Sequence, residues 1–124
     1  MDHKQIESYL LELPEAWLDY PFGKEVAVYK TGPKNSPESK MFALIAENSN
    51  PLRLSLKCDP KLSLLLREKY ETVLPGYHLN KKHWNTVAFN ADVSDKLILE
   101  LLHNSYQLVW NKLPRKEREA LTTR

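Results

Sequence analysis

The most regular pattern in the chain is the strict alternation of apolar and polar residues in the segment LRLSLKC, residues 52–58. Successive side chains of a β-strand point to opposite faces of a sheet. The three leucines and Cys58 at even positions are therefore predicted to face a core, with Arg53, Ser55 and Lys57 on the other face. This pattern predicts a half-buried strand.

Three further segments have the valine, aromatic and alternating pattern of strands. They are EVAVYKT (residues 25–31), KMFALIAE (residues 40–47) and WNTVAF (residues 84–89). A polar loop with two prolines separates the first two, at residues 32–39. The pattern predicts a β-hairpin with a long tip.

Helical spacing appears at four places along the chain. Asp2 and Gln5 have the spacing of a capping box, which predicts a first helix that Pro14 ends or restarts. Asp59-Pro60 predicts the start of a second helix, Ser94 that of a third, and Pro114 that of a short basic helix over about residues 114–121. The positions predicted to face the core are Ile6, Tyr9, Leu10, Leu13 and Trp17; then Leu62, Leu65, Leu66 and Tyr70; then Leu97, Ile98, Leu101, Leu102, Ser105 and Val109.

The resulting order, roughly α-β-β-β-α-β-α, favours an α+β fold with an antiparallel sheet and helices packed on one face. A length of 124 residues predicts a single domain, residues 1–124. One cysteine fits a reducing compartment, and neither a signal sequence nor a membrane-length apolar run is evident. We therefore expect a cytoplasmic protein.

Charge is distributed unevenly, although the net charge is only +2. Residues 1–21 contain one lysine and five acidic residues. Residues 75–90 contain Lys81 and Lys82 and no acid, and residues 112–124 contain five basic residues and two acidic ones. An acidic beginning and a basic end can form two charged faces, or can simply be solvated surface.

The sequence contains no motif for catalysis or for a metal. His78 and His83 are five residues apart without a nearby cysteine or carboxylate, which is not a zinc ligand set. The lone Cys58 is predicted to be buried, where thiols are unreactive. Three glycines do not form a phosphate-binding loop. We expect no cofactor, no metal and no enzymatic activity; an enzyme whose site is built on the turn at residues 75–87 from distant residues is a further alternative.

Nucleic acid is the partner that the basic residues favour. Lys81, Lys82 and His83 lie together in one turn, and lysines can neutralise phosphates. The hairpin tip contributes Lys34 and Lys40, and the alternating strand Arg53 and Lys57. The alternative is a module that binds a protein or small ligand through the turn at residues 75–87, with no catalysis. Paired lysines at a turn can also be ordinary soluble surface.

Several short motifs together resemble the MmcQ/YjbR family of small bacterial proteins. The motifs are Pro21-Phe22-Gly23, Lys40-Met41-Phe42-Ala43, Leu56-Lys57-x-Asp59-Pro60, Leu65-x-Arg67-x-x-Tyr70, the segment PGYHLNKKHWNTV at residues 75–87, and Ser105-Tyr106-x-Leu108-Val109. The resemblance extends to about residue 113 and implies a CyaY-like α+β fold. It also implies DNA binding through a double-wing arrangement of hairpin loops. In the turn, we expect His78 and Asn80 to hydrogen-bond the backbone and Trp84 to pack in the core. In the alternative, His78, Lys81 and His83 form the floor of a ligand or DNA site.

Overall fold

The computed structural model describes residues 1–47, 49–76 and 79–122, which contain four helices and six strands. The helices are α1 (His3–Glu12), α2 (Pro60–Lys69), α3 (Asp95–Trp110) and α4 (Arg115–Thr122). The strands are β1 (Ala16–Asp19), β2 (Val26–Thr31), β3 (Lys40–Ala46), β4 (Arg53–Lys57), β5 (Leu74–Pro75) and β6 (Trp84–Ala88). They form one sheet in the order β1-β2-β3-β4-β6-β5, with every neighbouring pair antiparallel. The predicted α+β class is confirmed.

The main core lies between one face of this sheet and the helices α1, α2 and α3. Leu54, Leu56 and Cys58 are all buried there, which confirms the predicted alternation in β4. The predicted inner stripe of α3 is also confirmed, except that Leu97 is only partly buried. Burial of apolar area on this face is the dominant stabilising contribution to the fold.

The helix starts use the local chemistry that the sequence predicts. Asp2 accepts a hydrogen bond from the backbone of Gln5, and the Gln5 side chain accepts one from the backbone N–H of Asp2. Asp59 caps α2 with Pro60 in its first turn, and Ser94 caps α3. Each cap satisfies backbone donors that would otherwise lack a partner.

The first helix ends at Glu12, just before Pro14, and it does not restart after the proline. After a turn at residues 13–15 the chain forms β1, which pairs with β2. Pro14 lacks an N–H, and Glu15 has a left-handed backbone with φ of 59°, so the chain turns back along the exposed edge of β2. Trp17 is consequently buried as part of a strand and not as part of a helix. Tyr9 of α1, which was also predicted to face the core, is 42% exposed.

Two further predictions were wrong in detail. Leu65 is 62% exposed because α2 turns Ser63 and Leu66 inward, which places Leu65 on the opposite side of the helix. Pro75, predicted to lie in a turn, belongs to the short edge strand β5, opposite Asn85 of β6. An edge position suits proline, which has no N–H to donate to a ladder.

Candidate nucleic-acid interface

The sheet gathers most of the predicted DNA-contacting residues at one of its ends. Lys40 begins β3, Lys57 ends β4, and residues 81–83 directly precede β6. Because these strands are antiparallel neighbours, the three positions lie at the same end of the sheet. Lys34 is exposed in the loop of residues 32–39, which joins β2 and β3 at this end.

Arg53 lies elsewhere. It begins β4 and pairs with Ala46 and Ala88, at the end of the sheet opposite Lys57. Five strand residues separate the two ends by roughly 13 Å. Arg53 is exposed, but it is not part of the lysine group.

Lys57 is the centre of that group. It is only partly exposed, and burial lowers the pKa of its ammonium group below the ordinary value. Repulsion from Lys112 and Lys40 lowers this pKa further. Within residues 1–47, 49–76 and 79–122, no carboxylate forms an ion pair with any of these three lysines. We call Lys34, Lys40, Lys57, Lys81, Lys82, His83 and Lys112 the basic surface.

Lys112 is a member that the sequence did not predict. It follows the C-terminal end of α3, and it comes near Lys57 because α3 packs against β3 and β4. The excess of basic residues from position 112 onward was the available signal. That signal gives no distance to β4, because the contact depends on how a helix packs on a sheet.

Ser105 fixes the backbone around Lys57. Its Oγ accepts a hydrogen bond from the Lys57 N–H at 2.9 Å and donates one to the Phe42 carbonyl at 2.6 Å. β3 carries an irregularity beside Phe42, so the regular β3–β4 register ends at Ala43 and Leu56. The Ser105 hydroxyl therefore bridges β3 and β4 at the point where their backbone–backbone hydrogen bonds are interrupted.

Replacing Ser105 with alanine is expected to lower the free energy of unfolding by about 1–3 kcal/mol, because it leaves the N–H of Lys57 and the carbonyl of Phe42 without this partner. Urea unfolding followed by circular dichroism measures the change. Ser8→Ala, on the exposed side of α1, is the control and is expected to stay within about 0.5 kcal/mol of the parent. Equal losses for the two variants would contradict a bridging role for Ser105.

The turn before β6 is held by its own polar groups. Asn80 Oδ1 accepts a hydrogen bond from the Lys82 N–H at 2.9 Å. The Asn80 carbonyl accepts from the N–H groups of His83 and Trp84, and the His83 carbonyl accepts from the Cys58 N–H. These contacts leave the side chains of Lys81 and Lys82 exposed and that of His83 half-buried. His78, expected to contribute here, lies outside the described residues.

Arg67 of α2 ties this turn to the rest of the protein, a role that the sequence did not predict. Its Nη2 donates to the carbonyls of Lys81 and Trp84, and its Nε donates to Asn85 Oδ1 at 2.6 Å. Asn85 Nδ2 in turn donates to the Ser63 carbonyl of α2. The guanidinium group has five donors in a fixed plane, which suits it to hold several acceptors at once. Its place in a family-like motif was the only sequence signal.

Trp84 is a packing residue in this structure. It is 6% exposed and forms a second, smaller apolar cluster with Val28 and Leu44, on the sheet face away from the main core. Leu79 packs against this cluster. A Cβ atom at Gly76 would lie 2.8 Å from the Trp84 Cβ, so glycine allows the turn to close over the tryptophan. The indole is thus engaged in packing and is not displayed as a platform for base stacking.

Other kinds of site receive no support from the described part of the chain. There, no three histidine, cysteine, aspartate or glutamate side chains are grouped as metal ligands. Burial raises the pKa of the Cys58 thiol, which keeps it in the unreactive protonated form. None of the described helices is long and apolar enough to span a membrane.

An antiparallel six-stranded sheet with a lysine-rich end defines this chain as a small α+β protein. The sequence model of the YjbR family matches residues 11–108, and the chain belongs to that family. The chain is 36% identical to the uncharacterized protein YbdF of Escherichia coli O157:H7, over 96% of this chain and 93% of that protein. It is 40% identical to the uncharacterized protein YjbR of Escherichia coli strain K12, over 68% of this chain and 71% of that protein.

Two solved structures resemble the fold. The crystal structure of Deinococcus radiodurans protein DR2400 matches with a TM-score of 0.89 and 41% identity, covering 96% of this chain and 86% of that one. The crystal structure of a Pseudomonas syringae protein matches with a TM-score of 0.71 and 31% identity, covering 88% of this chain and 99% of that one. The resemblance to this family implied by the sequence motifs is confirmed.

Proposed function

We propose that this protein is a cytoplasmic DNA-binding protein that contacts the phosphate backbone of a duplex through the basic surface. The observation that carries the proposal is the placement of Lys40, Lys57 and the turn of residues 81–83 at one end of the sheet, with no carboxylate ion-paired to these lysines in the described residues. Repulsion from Lys112 and Lys40 disfavours the charged form of Lys57, and a phosphate group would supply a counter-charge.

Two loops would act as the wings of this surface. The loop of residues 32–39 leads into β3, and the turn of residues 79–83 leads into β6, with β4 between these strands. Two strand spacings separate the loops by roughly 10 Å. This distance is comparable with the width of the DNA major groove, about 12 Å. The loops would therefore follow the two sides of a groove, with Lys57 between them.

The proposed binding has low sequence specificity. Arginine and asparagine are the side chains that most often read bases, through paired hydrogen bonds. Near the turn, the side chains of Arg67 and Asn80 bind the protein's own backbone. The residues left to face DNA are mainly lysines, which recognise phosphate as point charges. No catalytic step and no cofactor is part of this proposal.

The test is the salt dependence of binding to a fluorescent duplex of about 16 base pairs, followed by anisotropy between about 50 and 200 mM salt. We expect binding at low salt and a linear fall of log affinity with log salt concentration, with a slope that grows with the number of phosphates neutralised. Competition by two unrelated duplexes of equal length should be similar. Absence of binding at the lowest salt would refute the proposal.

The stability of the free protein provides a second, independent test, of the electrostatic environment of Lys57. A lowered folded-state pKa means that the folded chain binds this proton less tightly than the unfolded chain, so protonated Lys57 opposes folding. Lys57→Met is therefore expected to unfold at higher urea concentration than the parent at pH 7. The difference should shrink as pH rises through the folded-state pKa, where Lys57 of the parent loses its charge.

Urea unfolding of parent and variant between pH 7 and pH 11, roughly the range spanning the ordinary lysine pKa, measures this effect. Lys4→Met, an exposed lysine on α1, is the matched control and should show no such trend. A Lys57→Met protein that is less stable than the parent at every pH would show that Lys57 supports the fold and is not held there against a cost.

A further inference from the structure

The outer face of α2 carries a stripe of four exposed residues that the DNA proposal does not use. Lys61, Leu64, Leu65 and Glu68 follow one another at helical spacing and so lie on one side of the helix. Leu64 is 58% exposed and Leu65 62%. In the part of the chain that the structure describes, neither Lys61 nor Glu68 forms an ion pair. We call these four residues the α2 stripe.

The packing of α2 against the core fixes which side of the helix, and so the α2 stripe, faces outward. Leu66 and Ser63 are buried on the other side of the helix, and the Asp59 side chain caps its N-terminus. Rotation of the helix to hide the leucines would expose Leu66. The stripe therefore presents two adjacent leucines to the outside, with a positive charge before them and a negative charge after them.

The stripe is complementary to itself when read in the reverse direction. Two copies of α2 packed antiparallel about a two-fold axis between Leu64 and Leu65 would bring Leu64 of each copy against Leu65 of the other. The same axis would bring Lys61 of each copy opposite Glu68 of the other. A two-fold contact requires such self-complementarity. An unrelated partner would not require the charges to be placed symmetrically about the leucines.

We propose that the α2 stripe is a homodimer contact, in which two copies of this chain associate through antiparallel α2 helices. Leucine burial supplies the attraction, and the two Lys61–Glu68 pairs set the orientation. A contact between one pair of ten-residue helices buries less surface than the roughly 1,200 Å² of a stable interface. The dimer is therefore weak, with a dissociation constant in about the high micromolar range. The inference is independent of DNA binding, because none of the four residues belongs to the basic surface.

Charge exchange tests this arrangement in solution by sedimentation equilibrium at low salt. Lys61→Glu places like charges opposite each other twice in the dimer, and so does Glu68→Lys. Each single variant is expected to dimerise on the order of 10-fold more weakly than the parent. The double variant K61E/E68K restores both pairs with reversed signs and is expected to recover the parent affinity.

A mixture of the two single variants gives the most discriminating measurement. The Lys61→Glu copy has an acidic stripe and the Glu68→Lys copy a basic one, so the mixed dimer has two complementary pairs. The mixture should therefore associate more strongly than either variant alone. Leu65→Ser should abolish dimerisation, whereas Leu11→Ser, which changes a leucine 40% exposed on α1, should not.

Three results would overturn the proposal. The first is a parent protein that stays monomeric up to about 1 mM, a concentration at which even weak contacts form. The second is a dimer that neither single charge variant weakens. The third is a double variant that stays as weak as the single variants although circular dichroism shows it folded.

Discussion

Replacing Lys40, Lys57 and Lys112 together with alanine is expected to reduce the affinity for duplex DNA by on the order of 100-fold at low salt. These lysines share one electrostatic environment, in which Lys112 and Lys40 repel Lys57. Each lysine that contacts a phosphate steepens the salt dependence by about one unit. The triple variant should therefore also have a log–log salt slope shallower by about three units than the parent. Anisotropy titrations with a labelled duplex measure both quantities.

The matched control removes the same charge from other places. Lys4, Lys24 and Lys96 are exposed and lie in α1, in the segment between β1 and β2, and in the first turn of α3. Their triple alanine variant has the same net charge as the first. If position matters, the control keeps most of the affinity and nearly the parent slope. Equal losses in the two triple variants would mean that DNA responds only to net charge, and the basic surface would not be a site.

Arg67→Lys is expected to lower the free energy of unfolding by about 2–4 kcal/mol, although it conserves the charge. The guanidinium group of Arg67 holds the carbonyls of Lys81 and Trp84 and the side chain of Asn85. An ammonium group is a single point donor and cannot span these three acceptors. Chemical denaturation measures the loss. Arg115→Lys, which changes an exposed arginine paired with Glu119 on α4, is the control and should cost at most about 0.5 kcal/mol.

The Arg67→Lys variant also distinguishes a residue that positions the turn from a residue that contacts DNA. Because Arg67 binds the turn through its backbone, Arg67→Lys should weaken DNA binding by displacing Lys81 and Lys82. Its salt slope should fall less than in the triple lysine variant, since no phosphate-contacting charge is removed. Amide chemical shifts of residues 79–85 should move even without DNA. A variant with parent stability and unchanged shifts in this turn would contradict the bracing role.

The sequence predicts best those parts of the fold whose pattern is local. Alternation in β4 predicts which residues are buried, because burial there depends only on the two-residue period of a strand. The caps at Asp2, Asp59 and Ser94 depend on hydrogen bonds within three residues. β1 was missed because its four residues gain their partners only from β2. A segment this short has no period of its own.

For the candidate site, the sequence indicates residue types but not their grouping. Alternation places Arg53 and Lys57 on one face of β4 and says nothing about which end of the sheet each occupies. Strand register separates them, and it also brings the turn of residues 81–83 beside Lys57. Lys112 joins the group through the packing of α3, where Ser105 bonds the β3 and β4 backbones. The sequence does not reveal the role of Arg67, because the partners of its side chain are mostly backbone carbonyls, which have no sequence signature.

An NMR titration of the isotope-labelled protein with an unlabelled duplex of about 16 base pairs tests the central claim most directly. At low salt, amide shifts should change in residues 32–40, at Lys57, in residues 79–84 and at Lys112, and should revert as salt is raised. Arg53, at the other end of β4, serves as an internal reference and should change little. Shifts that centre on Arg53 or on α2, or no salt-sensitive shifts at all, would contradict binding of DNA by the basic surface.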